Sequence, residues 1–177
     1  MILWEKKQGN STIYHPVIID YGLAQLVPKD PINKSGFCLV TMGKIGKDYY
    51  HPLETIGETI QRPLNPFACD MWQMGILLLI MVSGKPPFNK FDDTPQTFSF
   101  YKNVRFENYS AIFYNCKCEK VSELYPQIFN IFKCLVKKVP FPPEEGTSGR
   151  LTALETLRMC IDAQSSSSSH GGPRGTS

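Results

Sequence analysis

No Cys-x-x-Cys pair occurs among the six cysteines of this sequence, Cys38, Cys69, Cys116, Cys118, Cys134 and Cys160. Cys116 and Cys118 stand too close together for the usual tetrahedral zinc arrangement, and no histidine lies beside them. The pattern argues against a structural metal and points to reduced, mostly buried thiols in an intracellular protein, cytoplasmic or nuclear. There is no block of basic residues: 19 Lys and Arg and 16 Asp and Glu are scattered, for a net charge of +3. That distribution argues against nucleic acid or an anionic membrane as partner. The chain shows no charged-then-apolar leader and no internal repeat. Its longest apolar run, residues 71–82, is about 12 long, where a membrane span needs about 20.

What is present is enough apolar content, 42% of 177 residues, to build one ordinary domain core. Residues 70–88 organise it. Asp70 reads as an N-cap, its carboxylate accepting from the free N–H groups of a first turn. Gly84 reads as the stop, because glycine enters the left-handed region without steric cost, and Pro86 and Pro87 forbid a return to helix. Apolar on nearly all sides between these marks, the helix is expected to be a core helix surrounded by other elements.

Around it, residues 2–4 and 17–19 read as two short strands of a hairpin, the second buried, with a turn over residues 6–10. Residues 23–54, punctuated by Pro28, Pro31, Gly36, Gly43 and Gly46, read as a long loop with a strand at 37–42; a loop of that length is usually functional. Residues 61–66 form a connection. Residues 95–102 read as a short helix. A longer one begins at Ser122 and carries Ile128, Phe129, Ile131, Phe132, Leu135 and Val136 at helical spacing. Residues 140–149 read as a Pro- and Gly-rich loop, and residues 151–161 as the last helix. The Ser/Gly-rich tail, 162–177, has nothing to bury and is expected to be disordered.

Four stretches, in order, resemble pieces of the protein kinase C-lobe. Asp70, Trp72 and Gly75 followed by Gly84-Lys85-Pro86-Pro87-Phe88 are similar to its central helix. Val17-Ile18-Ile19-Asp20-Tyr21-Gly22 looks like the strand and Asp-Phe-Gly turn, with Tyr for Phe. Gly46-Lys47-Asp48-Tyr49-Tyr50-His51-Pro52-Leu53-Glu54 looks like the end of the activation segment, Pro52-Leu53-Glu54 lying over Ala-Pro-Glu. Arg150-Leu151-Thr152-Ala153-Leu154-Glu155 looks like the start of the last kinase helix. The resemblance covers residues 1–161. It implies a mostly α fold: a partial kinase-like C-lobe with a short β-hairpin at its N-terminal end.

From that resemblance follow the expected sites. Asp20, projected from a turn that Gly22 makes possible, would be the magnesium ligand beside ATP. Gly46, Lys47 and Tyr50 would form a substrate shelf of Ser/Thr rather than Tyr type, and Ser35, Thr41 and Tyr49 would be candidate phosphosites. Lys47 departs from the usual Thr that bonds the catalytic Asp. Asp70 would anchor the catalytic-loop backbone as well as cap its helix. Glu54 and Arg150 would pair, tying the activation segment to the base of the lobe.

The phosphoryl-transfer template has further parts. No glycine-rich G-x-G-x-x-G, no strand Lys with a Glu partner and no His-Arg-Asp loop occurs, and Met1 falls at the position of the magnesium-binding Asn. A thioether is a poor substitute for an amide oxygen on that ion. No catalytic residue is therefore assigned, and the chain reads as beginning just after the catalytic base. ATP and Mg2+ belong to the parent family, and their binding by this chain alone is not expected. Two functions stay open: a fragment of an active Ser/Thr-type protein kinase, or a non-catalytic, pseudokinase-like module that binds a partner protein.

Overall fold

A tight turn at Gly9, with φ of +61°, folds the first residues back on themselves. The structure is a computed structural model and describes residues 2–9, 11–29, 40–41, 46–55, 63–88, 95–138 and 150–168. The chain divides into two units, residues 1–38 and 39–177. In the first, β1 (Ile2–Gln8) and β2 (Ser11–Val17) pair antiparallel, from Ile2 opposite Val17 to Gln8 opposite Ser11. Lys6, Lys7 and Gln8, expected in the turn, instead complete β1, because a two-residue connection with glycine at positive φ suffices to reverse the chain. The second strand ends at Val17 and is not buried: Val17, Ile18 and Ile19 are all exposed. A two-stranded ribbon has no second layer of its own against which to bury a face.

In the second unit β3 (Val40–Thr41) and β4 (Pro63–Leu64) pair antiparallel. They are the described part of the strand expected at 37–42 and of the connection at 61–66. The loop read at 140–149 lies outside the described residues. Helix α1 spans Pro66–Ser83 and starts earlier than expected. Proline is preset for the first helical position, and the Asn65 side chain accepts from the N–H groups of Phe67 (3.0 Å) and Ala68 (3.3 Å). Asp70 is therefore not the cap; it lies inside the helix, exposed. The stop is where it was expected: Gly84 has φ of 73° and its N–H donates to the Ile80 carbonyl.

Among the described residues five further α-helices follow: α2 (Pro95–Arg105), α3 (Tyr109–Asn115), α4 (Val121–Leu124), α5 (Pro126–Leu135) and α6 (Ala153–Ser168). The helix expected from Ser122 onward is two helices, α4 and α5, because Pro126 has no N–H with which to continue the first. Helix α3, not anticipated, is capped by Asn108, whose side chain accepts from the Ala111 N–H at 3.4 Å. Helix α6 begins with a reciprocal box: the Thr152 N–H and hydroxyl donate to Glu155 Oε2 at 2.7 and 2.8 Å, and the Glu155 N–H donates back to the Thr152 hydroxyl. Once nucleated, a helix extends at the cost of one residue at a time, and α6 runs to Ser168, past the boundary expected at residue 161. Residues 169–177 of the tail lie outside the described residues. The molecule is mostly helical with an N-terminal β-hairpin.

The core lies in the second unit. Trp72, Ile76 and Leu79 of α1 are fully buried in one cluster with Phe113 of α3 and Phe132 and Leu135 of α5. Phe132 meets Phe113 edge-on at 5.0 Å and Tyr109 at 6.1 Å. The close approach of α1 to α5 depends on Gly75: a Cβ there would stand 2.4 Å from Val136 Cγ2 and 3.0 Å from Leu135 Cβ. The expectation that α1 is buried on all sides fails on the other face, where Met74 and Met81 are 52% and 68% exposed. By length and composition alone α1 could cross a membrane; a core helix satisfies the same test, and here the face from Cys69 to Leu79 carries the core. Gly75→Ala is expected to destabilise the chain by about 1–3 kcal/mol through overpacking. A lower urea midpoint at unchanged slope would show this, and a neutral result would deny the α1–α5 contact.

Candidate functional site

Asp20 follows β2 directly and takes φ of 65° and ψ of 70°, the left-handed region that costs most L-residues but that Asp tolerates. It precedes one 3-10 turn, Tyr21–Leu23, to which its side chain gives no capping bond. A Cβ on Gly22 would lie 3.4 Å from Asp20 Oδ1, so the glycine leaves room beside the carboxylate. Among the described residues no group of three or more His, Cys, Asp or Glu could hold a metal ion. Magnesium beside a nucleotide takes one or two carboxylates together with phosphates and water. Asp20 could supply one such ligand, but no phosphate-cradling glycine loop occurs in the sequence.

The second cluster runs from Gly46 to Thr55. Gly46 has φ of 93°, a conformation that favours glycine. Lys47 is extended and exposed, and its carbonyl accepts from the Tyr50 N–H at 3.0 Å as the 3-10 turn Asp48–Tyr50 begins. Tyr49 and Tyr50 are half-buried, their rings 4.8 Å apart, and pack with Leu53 against the helical core. Of the candidate phosphosites, Ser35 and the Thr41 side chain lie outside the described residues. Next come His51 and Pro52, both buried; Tyr101 of α2 donates its hydroxyl to the His51 carbonyl at 2.9 Å. Thr55 closes the segment by donating its N–H and its hydroxyl to the Pro52 carbonyl at 2.9 and 2.8 Å.

The structure brings Glu54 and Arg150 together across 96 positions. Arg150 donates from Nη1 and Nη2 to the two carboxylate oxygens, the Nη2 bond being 2.7 Å. Its Nε donates to the Lys137 carbonyl at 3.0 Å and Nη1 to the Ala68 carbonyl at 2.9 Å. The guanidinium carbon stands 4.8 Å over the Trp72 ring, within cation–π range. The Arg150 side chain is fully buried and that of Glu54 is 13% exposed. Five fixed N–H donors make arginine the residue for such a place.

Beside this pair lies Cys69, buried. Burial first, then the charge of Glu54, push its thiol up to about 12, against the pull of Arg150. Partial desolvation raises the carboxyl of Asp70, one residue on. Several residues that hold this cluster were not singled out from the sequence: Tyr101, Trp72 as a ring under a cation, and Asn65. For Asn65 a signal existed, a good cap followed at once by proline. For Tyr101 there was none, since its partner is 50 positions away.

Glu54→Gln or Arg150→Met is expected to cost about 3–5 kcal/mol, because the remaining charge loses its counter-charge inside the protein. The double variant should recover part of that loss in a double-mutant cycle, and single losses within about 1 kcal/mol would instead mark an exposed, weak pair. An alkaline effect follows from Cys69. The folded chain keeps this proton up to about pH 12, whereas an ordinary thiol gives it up near 9.0, so the unfolded state gains as pH rises between those values. Stability should fall across that window, and Cys69→Ala should flatten part of the slope in denaturant titrations.

Over 89 residues, half of this chain, the sequence is 35% identical to the serine/threonine-protein kinase pak-2 of Caenorhabditis elegans, of which the chain spans 15%. No protein-family model matches the chain, and no solved structure matches it. The likeness is a distant and partial one to the protein kinase superfamily.

Proposed function

We propose that residues 1–161 are the part of a Ser/Thr-type protein kinase C-lobe that follows the catalytic loop. The parent activity is transfer of the ATP γ-phosphate to a protein hydroxyl, and this chain alone does not carry it out. The observation that carries the reading is the buried Glu54–Arg150 pair, which joins the two stretches that resemble the end of an activation segment and the start of the last kinase helix. The partial identity to a serine/threonine kinase supports it. In this reading Asp20 and Gly22 are what remains of the cofactor turn, Gly46, Lys47 and Tyr50 the shelf for a protein substrate, and Asp70 an anchor for a catalytic loop that the sequence does not contain. An intracellular setting and a protein partner, rather than nucleic acid or membrane, belong to the same proposal.

A second reading, a non-catalytic module that binds a partner protein, is favoured by exposed apolar side chains on two helices. These are Met74 and Met81 on α1, and Leu154, Leu157 and Ile161 on α6. Exposed apolar patches of that kind mark interaction sites. Both readings expect no catalysis from these residues alone, since positioning and electrostatics supply nearly all of it in phosphoryl transfer. Purified chain incubated with labelled ATP, magnesium and a generic basic protein should transfer no label above a blank. Transfer that disappears in Asp20→Ala would overturn the inactive assignment.

A further inference from the structure

A cavity of about 440 Å³ opens between the loop that follows α1, the first turns of α2 and the end of α3. Its apolar lining is Phe88, Phe100, Ile112 and the thiol of Cys116, all buried. Three prolines, Pro86, Pro87 and Pro95, stiffen two of its sides. Phe88 is held by Phe100 and Tyr101, each 5.6 Å away ring to ring. The end of α3 is held by the Cys116 N–H on the Ile112 carbonyl and the Cys118 N–H on the Phe113 carbonyl. The described walls are fixed in this way before anything enters, as in the largely pre-formed pockets of this size that take small ligands.

The polar groups around the cavity favour one charge. Among the described residues no Asp or Glu lines it, and Lys85 is the one cationic side chain among them. Lys85 makes no ion pair among the described residues. Burial raises the Cys116 thiol, with Lys85 pulling the other way, so near neutral pH the sulfur is an uncharged, apolar part of the lining. Gln96, Ser99 and Asn115 supply neutral polar atoms. We propose that this cavity binds a small aromatic anion, its rings against Phe88, Phe100 and Ile112 and its negative group balanced by Lys85. The cavity shares no lining residue with the Glu54–Arg150 pair, and the proposal stands whether or not the kinase-like reading does.

The probe that tests it is 1-anilinonaphthalene-8-sulfonate, compared with N-phenyl-1-naphthylamine, the same rings without the sulfonate. Lys85→Gln should weaken the sulfonate by about three- to fivefold, the size of an exposed ion pair, and leave the neutral probe unchanged. Ser99→Trp, which puts a ring into the cavity, should remove the binding of both. The unaltered chain gives an independent reading. The sulfonate at about ten times its Kd should slow methylthiolation of Cys116 by methyl methanethiosulfonate about tenfold by mass action, while exposed Cys160 reacts at its former rate. Equal loss of both probes in Lys85→Gln, binding that survives Ser99→Trp, or no protection of Cys116 would each overturn the proposal, the last even if a variant failed to fold.

Discussion

Arg150 carries a full charge with no side-chain surface left to water, and the packing of the second unit turns on how that charge is satisfied. Its partners come from separate parts of the sequence: the Glu54 carboxylate, the Ala68 carbonyl in the first turn of α1, the Lys137 carbonyl beyond α5, and the face of Trp72. An unpaired buried cation would cost several kcal/mol, so none of these partners can move away without penalty. One side chain thereby fixes the end of the Gly46–Thr55 segment, the start of α1 and the approach to α6. Glutamate answers it with two parallel bonds, an arrangement that sets direction as well as strength.

Trp72 passes this constraint inward. Arg150 lies over its ring, the Tyr101 ring lies nearly parallel to it at 6.3 Å, and the Tyr101 hydroxyl holds the His51 carbonyl. The segment at 46–55 is thus held at His51 through α2 and at Glu54 through Arg150. Its beginning, Gly46 and Lys47, is exposed. The arrangement is not fully satisfied among the described residues: the buried Trp72 Nε1 has no hydrogen-bond partner there, a deficit of about 1–3 kcal/mol by the usual measure that the ring stacking and burial around it must offset.

Helix α1 faces two ways. Along Cys69, Trp72, Gly75, Ile76 and Leu79 it is a core helix, close enough to α5 that a single methyl group at Gly75 would collide. Met74 and Met81 on its other side meet water. Such an asymmetry is invisible to a count of apolar residues, because the composition of the two faces is nearly the same. It appears only when the partners of one face are in place.

Much that is local was legible in residues taken in order. Gly84 followed by two prolines marked the end of α1, apolar spacing marked α5, and the resemblance to kinases, with the charges of Glu54 and Arg150, pointed to their pairing. The start of α1 was misread because Asn65 and Asp70 are both competent caps, and what separates them is a proline preset for helix just after Asn65. The burial expected of residues 17–19, the all-round burial of α1, the break between α4 and α5 and the cavity beside Lys85 were not legible or were misread. Caps, turns and periodicity act over three or four residues and leave their signature in the sequence. Burial is different: it depends on which surfaces meet, and the bonds that hold this molecule join residues 50, 82 and 96 positions apart, so only the folded chain could settle it.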